Sequence, residues 1–288
     1  MIVDFFIVGA PKAGTTSLYY YLNEHSDIEM SSQKEPDFFS DESIQKQKMY
    51  YGKNRIDTIE KYHSLFSENN FILRGEASVS YLFYEDVPRK IISYNPDAKI
   101  IIMLRDPIER AFSHYLMDYS LGLVSVSFES IINRQSKHKN VDLFFQQYIE
   151  LSEYANQIKR YLEIFSRENI YFIDYDDFKN NTSHVVNNVF KFLEVNNDFS
   201  PYLSKQYNTY TTPKNMIIRY VYSFVSFRKI LARILPENLK KKIFSLFFTS
   251  YNKPKLSDET RDFLKQYFAN NVNELSELLN KDFTKWIR

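Results

Sequence analysis

Two segments of this 288-residue chain carry the residue types that hold anions. The first reads Gly9-Ala10-Pro11-Lys12-Ala13-Gly14-Thr15-Thr16-Ser17. It follows an apolar run, Ile2 to Val8, and opens a stretch patterned as a helix. A glycine loop in that setting aims successive backbone N–H groups, and a helix N-terminus, at one spot. Gly9, Gly14 and Thr16 match the nucleoside-triphosphate loop GxxxxGK followed by Ser or Thr, but Thr15 stands where the lysine belongs and the cation moves to Lys12. The loop is therefore expected to bind a 5′-phosphate through Lys12, Ala13, Gly14, Thr15, Thr16 and Ser17, with its cation reaching from a different side. The second segment is Arg105-Asp106-Pro107-Ile108-Glu109-Arg110-Ala111-Phe112-Ser113. An arginine forks onto a phosphate and a serine hydroxyl adds a bond. If Asp106 caps a helix that starts at Pro107, Ser113 lies two turns along it. Two strand–helix junctions would then hold two anions, as a nucleotide phosphorylated at both 5′ and 3′ requires.

The elements that must position these residues alternate. Strands are expected at Ile2–Val8, Phe71–Leu73, Ala98–Leu104 and Ile170–Asp174. Helices are expected at Thr15–Asn23, Val87–Tyr94, from Pro107 to about Leu121, at Glu153–Phe165 and at Val185–Leu193. This order predicts an α/β fold with a central parallel sheet, a strand–loop–helix resembling a P-loop, helices on both faces and a helical C-terminal part (about 214–234, 237–247 and 257–279). Neither a repeat nor a low-complexity linker divides the chain, so one domain over 1–288 is expected. Ligands of such sheets sit outside the carboxyl ends of strands, where Arg105 falls.

Composition narrows the chemistry. The absence of cysteine excludes disulfides, thiolate zinc sites and cysteine nucleophiles, and suits a cytoplasmic protein. The start runs straight into the glycine loop, so no secretory leader is expected, and no stretch approaches the ~18 apolar residues of a membrane span. A net charge of +1 gives no footprint for nucleic acid. Neither HExxH nor any other metal pattern occurs, and Asp174, Asp176 and Asp177 are expected to cap the following helix.

Taken together, Pro11–Leu18 (PKAGTTSL) and Leu104–Tyr115 (LRDPIERAFSHY) resemble the 5′-phosphosulfate loop and the 3′-phosphate motif of the sulfotransferases that use 3′-phosphoadenosine 5′-phosphosulfate (PAPS). Lys34-Glu35-Pro36-Asp37-Phe38-Phe39 resembles the KEPxFF segment of the heparan sulfate branch, and Ser152–Asp176 and Pro254–Trp286 are similar to segments of the branch and of bacterial members. The resemblance implies transfer of a sulfuryl group from PAPS to a hydroxyl or amine of a carbohydrate, without a metal. It implies Lys12 at the leaving 5′-phosphate oxygen, Glu35 as general base, Lys34 near donor or acceptor, and Arg105 and Ser113 on the 3′-phosphate. Glu76 is the second choice of base, and His114 is read as structural. Asp37, Ser40 and Ala77–Tyr81 depart from the heparan sulfate 3-O-sulfotransferases, so their glycosaminoglycan contacts do not carry over. Their glycine-rich nucleotide loop is not recognisable, with Lys214 as a weak substitute. A nucleotide-dependent kinase shares the loop but calls for a lysine at position 15 and a magnesium carboxylate. A non-catalytic nucleotide- or glycan-binding protein would have no use for Glu35.

The segment 216–250 places Arg219, Arg228, Lys229, Arg233, Lys240, Lys241 and Lys242 among apolar residues, against Glu237 alone. Basic amphipathic helices of this kind cover a core, lie peripherally on an anionic membrane or hold a long acceptor.

Overall fold

The computed structural model describes residues 1–51, 55–69, 71–196, 199, 201–202, 211–215, 218, 246–249 and 253–288. The first strand, β1 (Phe5–Gly9), leads into helix α1 (Thr15–Asn23), and β2 (Ile28–Met30) follows. A 3-10 turn at Phe38–Ser40 and helices α2 (Asp41–Gln47) and α3 (Ile59–His63) precede β3 (Leu73–Ala77). Next come α4 (Val87–Tyr94), β4 (Lys99–Leu104), α5 (Pro107–Ser120), α6 (Phe128–Ile132), α7 (Val141–Tyr148) and α8 (Tyr154–Leu162). Then follow β5 (Ile170–Asp174), α9 (Tyr175–Asn180) and α10 (Thr182–Leu193). A short antiparallel pair, β6 (Thr212–Pro213) and β7 (Phe248–Thr249), precedes α11 (Asp258–Leu279).

The five main strands form one parallel sheet in the order β2-β3-β1-β4-β5. Every residue of β1 and all of β4 but Lys99 are buried, the mark of strands covered on both faces. Each fully buried large apolar side chain here contributes about 1.5–3 kcal/mol. Helix α1 packs on β1, β2, β3 and α10, while α11 packs on α8 and α5. Asp106 caps α5 by accepting from Ile108 N at 2.8 Å and Glu109 N at 3.2 Å, with Pro107 in the first turn. Asp174 caps α9 in the same way, accepting from Asp176 N at 2.9 Å.

The expected α/β sheet with surrounding helices is present. The strand expected at Phe71–Leu73 instead covers Leu73–Ala77, and β2 and helices α2, α3, α6 and α7 were not anticipated. Arg74, Gly75 and Glu76 spoil the apolar pattern of β3; pairing decides it, with Gly75 opposite Phe5 and Met30. A Cβ on Gly75 would lie 2.0 Å from the Phe5 ring, so that ring fills the space a side chain would need. The helices expected at 214–234 and 237–247 fall on positions of which only 214, 215, 218, 246 and 247 are described, and the basic residues from 219 to 242 lie outside the described residues. No helix of the described residues is long and apolar enough to cross a membrane.

Candidate active site

Strands β1 and β4 are neighbours, yet the chain leaves them in opposite directions: towards β2 from β1 and towards β5 from β4. Such a switch point opens a crevice at the carboxyl edge, and both anion segments end there. Ala10 N donates to Met103 O at 2.7 Å, which ties the glycine loop to the end of β4. Arg105 Nη1 donates to Lys12 O at 2.9 Å, joining the two segments directly. Its guanidinium also lies 4.6 Å from the Tyr175 ring centre, a cation–π contact that fixes its plane. Gly14 takes φ +90°, and a Cβ there would meet Phe178 at 3.2 Å and Tyr175 at 3.3 Å. Conformation thus favours glycine, and a Cβ would crowd those rings. Ala13 and Thr15 are buried, while Thr16, Ser17 and Ser113 remain half-buried.

Beside Arg105 the fold assembles cations that sequence reasoning missed. Glu109 Oε1 accepts from Arg261 Nη2 at 2.7 Å, and Glu109 Oε2 lies 3.9 Å from Lys253 Nζ and 4.0 Å from Arg105 Nη2. Burial pushes the Glu109 carboxyl up, but Arg261, Lys253 and Arg105 outweigh burial and hold it below its usual range. Glu109 thus gathers three cations, Arg105, Lys253 and Arg261, at this junction. The only sequence signal for Arg261 was its place in the segment Pro254–Trp286, and none pointed to Lys253; α11 packing on α5 brings Arg261 here, and Lys253 lies shortly before that helix. Lys214 instead donates its backbone N–H to Phe247 O at 2.9 Å, beside the β6–β7 pair.

The KEP segment reaches the same edge of the sheet as a strap. Glu35 N donates to Ala77 O at 2.9 Å, Asp37 N to Ser78 Oγ at 3.0 Å and Phe39 N to Tyr81 OH at 3.2 Å. Ser80 Oγ donates to Asp37 Oδ1 at 2.6 Å. Glu35 and Asp37 both take left-handed φ, 57° and 55°, so the strap is sharply folded. Lys34 Nζ donates to Glu35 Oε1 at 2.5 Å. Lys12 Nζ donates to Met117 Sδ at 3.4 Å. Burial and then the Arg105 charge pull the Lys12 ammonium down to about 8, while Asp118 and Glu35 act the other way. Lys12 is thus within electrostatic reach of both Glu35 and Asp118. Burial, with the charges of Asp37, Asp118 and Glu35, raises the Tyr51 phenol above its usual range.

Glu76 is sealed inside the sheet at 0 % exposure, with Tyr62 OH donating to Oε2 at 2.5 Å. That position keeps it from meeting an acceptor and makes it a support beneath the strap rather than a base. His114 is buried, with Nδ1 3.1 Å from Gln147 O, a structural placement. Among the described residues no group of histidine or acidic side chains is set to hold a metal. The crevice therefore joins a glycine loop, a second cationic junction, a half-buried lysine and a carboxylate held in a strap. That set can bind a doubly phosphorylated nucleotide, take a proton and meet charge on a leaving oxygen.

The family described as sulfotransferase domain matches residues 3–274. A solved sulfotransferase from Alicyclobacillus acidocaldarius is 28% identical, with a TM-score of 0.73 and coverage of 100% of both chains. The bifunctional heparan sulfate N-deacetylase/N-sulfotransferase 4 of Mus musculus is 27% identical over 99% of this chain and 31% of its own length. Carbohydrate sulfotransferase 15 of the same organism is 26% identical over 66% of this chain and 43% of its own length. The chain thus spans less than half the length of these curated relatives.

Proposed function

The chain belongs to the sulfotransferase family and is a transferase, and from that premise we propose that it moves a sulfuryl group from PAPS to a hydroxyl or amine of a carbohydrate. The observation that carries the reading is the joining of the two anion segments by Arg105 and Lys12 across the β1–β4 crevice, with Glu35 strapped to the same edge. The loop from Lys12 to Ser17 would hold the 5′-phosphosulfate. Arg105 and Ser113 would hold the 3′-phosphate, with Lys253 and Arg261 adding charge beside them. A carbohydrate acceptor is suggested by the names of the relatives, heparan sulfate and carbohydrate sulfotransferases. Membership of the sulfotransferase family sets the kinase reading aside.

Sulfuryl transfer resembles phosphoryl transfer: the transferred group is anionic, attack is in line, and the protein contributes position and charge. Glu35 takes the proton of the acceptor as its oxygen or nitrogen bonds to sulfur. The bond from sulfur to the 5′-phosphate oxygen breaks, its electron pair stays on that oxygen, and Lys12 meets the new charge. Glu35 must part from Lys34 to do this, so Lys34 is freed towards the donor or acceptor. The direct test supplies radiolabelled PAPS with a panel of glycans and reads the intact mass of the product. Label on a glycan with a gain of one sulfate per site supports the proposal; label on none, in a protein that binds adenosine 3′,5′-bisphosphate, would reduce it to a nucleotide-binding protein.

A further inference from the structure

Helix α5 places a carboxylate between the two residues assigned to the 3′-phosphate. Arg105, Glu109 and Ser113 follow one another at four-residue spacing, and residues so spaced along a helix lie on one face. Arg105 stands just before the helix, with its Nη2 4.0 Å from Glu109 Oε2. Glu109 and Ser113 are both half-buried, so neither is sealed from a ligand. A phosphate monoester bears about −1.5 to −2 charge at neutral pH. One that reached both Arg105 and Ser113 would pass the turn that carries Glu109, and an ionised carboxylate there opposes it. Two cations from far along the chain meet this carboxylate. Arg261 Nη2 donates to Oε1 at 2.7 Å, and Lys253 Nζ lies 3.9 Å from Oε2. Arg261 sits at the start of α11, which Ser257 caps by accepting from Thr260 N at 3.2 Å, and α11 packs on α5. Asp106 and Asp258 also act on the Arg261 charge, but Asp106 is engaged as the cap of α5.

We propose that Arg261, assisted by Lys253, masks the charge of Glu109 and thereby sets the preference of the site for a nucleotide phosphorylated at the 3′ position. This rests on Arg105 and Ser113 holding the 3′-phosphate. Arg105 cannot mask Glu109 by itself. Its Nη1 is given to Lys12 O at 2.9 Å, its plane is fixed on the Tyr175 ring at 4.6 Å, and its Nη2 stays 4.0 Å from the carboxylate. Arg261 makes the short contact, so it carries the larger share; Lys253, at 3.9 Å, carries less. A guanidinium has five N–H donors and an ammonium three. Each cation can therefore keep Glu109 neutralised and still offer a donor to a phosphate oxygen. The mask discriminates by distance, because charge–charge interaction weakens with separation and with solvent screening. A 3′-phosphate on Arg105 and Ser113 lies against Glu109. A 5′-phosphate in the loop from Lys12 to Ser17 lies at the other junction and feels Glu109 less.

The test titrates the full chain calorimetrically, in EDTA, with adenosine 3′,5′-bisphosphate and with adenosine 5′-phosphate. Arg261→Gln leaves Glu109 unmasked. Its affinity for the bisphosphate should fall by ~10-fold, while that for the 5′-phosphate changes by less than about twofold. Adding Glu109→Gln to Arg261→Gln removes the opposing charge together with the need for a mask. The double variant should regain the bisphosphate affinity to within about threefold of wild type, the non-additivity expected of a coupled pair. Lys253→Gln should show the same split between the two nucleotides at about threefold, and it carries the test if Arg261→Gln fails to fold. Equal weakening towards both nucleotides overturns the proposal, because a merely structural loss at the α5–α11 contact does not separate them. So does a double variant that binds the bisphosphate no better than Arg261→Gln. These outcomes are distinct from failure of the donor reading, which shows in the wild-type protein: no binding of the bisphosphate there would remove that reading and this proposal with it.

Discussion

Glu35 sits in a paradox that its distances resolve. A base must be free, yet Lys34 holds it at 2.5 Å. The pair lies in a folded strap, so the lysine can move off when the anionic donor or an acceptor arrives. Replacing Glu35 by Gln removes the proton acceptor and keeps the backbone bond to Ala77, so turnover should fall by ~10²-fold or more while nucleotide affinity stays within about twofold; an active enzyme would remove Glu35 as base. Arg105→Ala and Ser113→Ala should instead raise KM for the donor, because they act on its bound state as much as on the transition state. Glu76 gives a different test, in stability. Burial first of all raises its carboxyl from 4.5 to about 7, and Oε1 has no hydrogen-bond partner. A carboxyl raised in the fold gives stability that is complete below about pH 4.5 and lost as pH rises through 7. That loss is about 3 kcal/mol. Denaturant unfolding of Glu76→Gln at several pH values should show this slope gone; an unchanged slope would assign the pH dependence elsewhere.

The loop between β1 and α1 works because Gly14 turns it. Its φ of +90° strains any other residue, and a Cβ would press on the rings of Phe178 and Tyr175. Gly14→Ala should cost about 1–3 kcal/mol of stability and weaken nucleotide binding, read by thermal shift and by titration with adenosine 3′,5′-bisphosphate. Normal nucleotide affinity in a folded Gly14→Ala protein would show that the loop does not bind through this geometry. Helix α5 joins two ends of the site, since Asp106 caps its start beside Arg105 and Met117 meets Lys12 near its close. Loss of that cap in Asp106→Ala should cost about 1 kcal/mol and disturb Arg105, its neighbour in sequence.

Across the whole molecule, the two segments proposed to hold anions end on one crevice, so a ligand bearing both phosphates should stabilise the fold more than either half alone. Adenosine 3′,5′-bisphosphate at many times its dissociation constant should add roughly 2–4 kcal/mol in EDTA. ATP with magnesium should do much less; the reverse order in a thermal shift would defeat the two-anion reading. The sequence by itself determined the local chemistry: Gly9 to Ser17 after an apolar run, Arg105 after another, Asp106 and Pro107 opening a helix. These are short-range features, set by backbone conformation, capping and periodicity over a few residues. It also implied the family through two motifs, which the match over residues 3–274 bears out. It did not reveal β3, where Arg74, Gly75 and Glu76 interrupt the apolar pattern, because the strand exists through its ladders to β1 and β2. Nor could it gather Asp118, Tyr50 and Tyr148, or bring Arg261 152 residues back to Glu109. Only tertiary structure decided those meetings, because charges and hydroxyls couple through space at a few ångströms, and spacing along the chain does not record which distant segments the packing of helices brings within that reach.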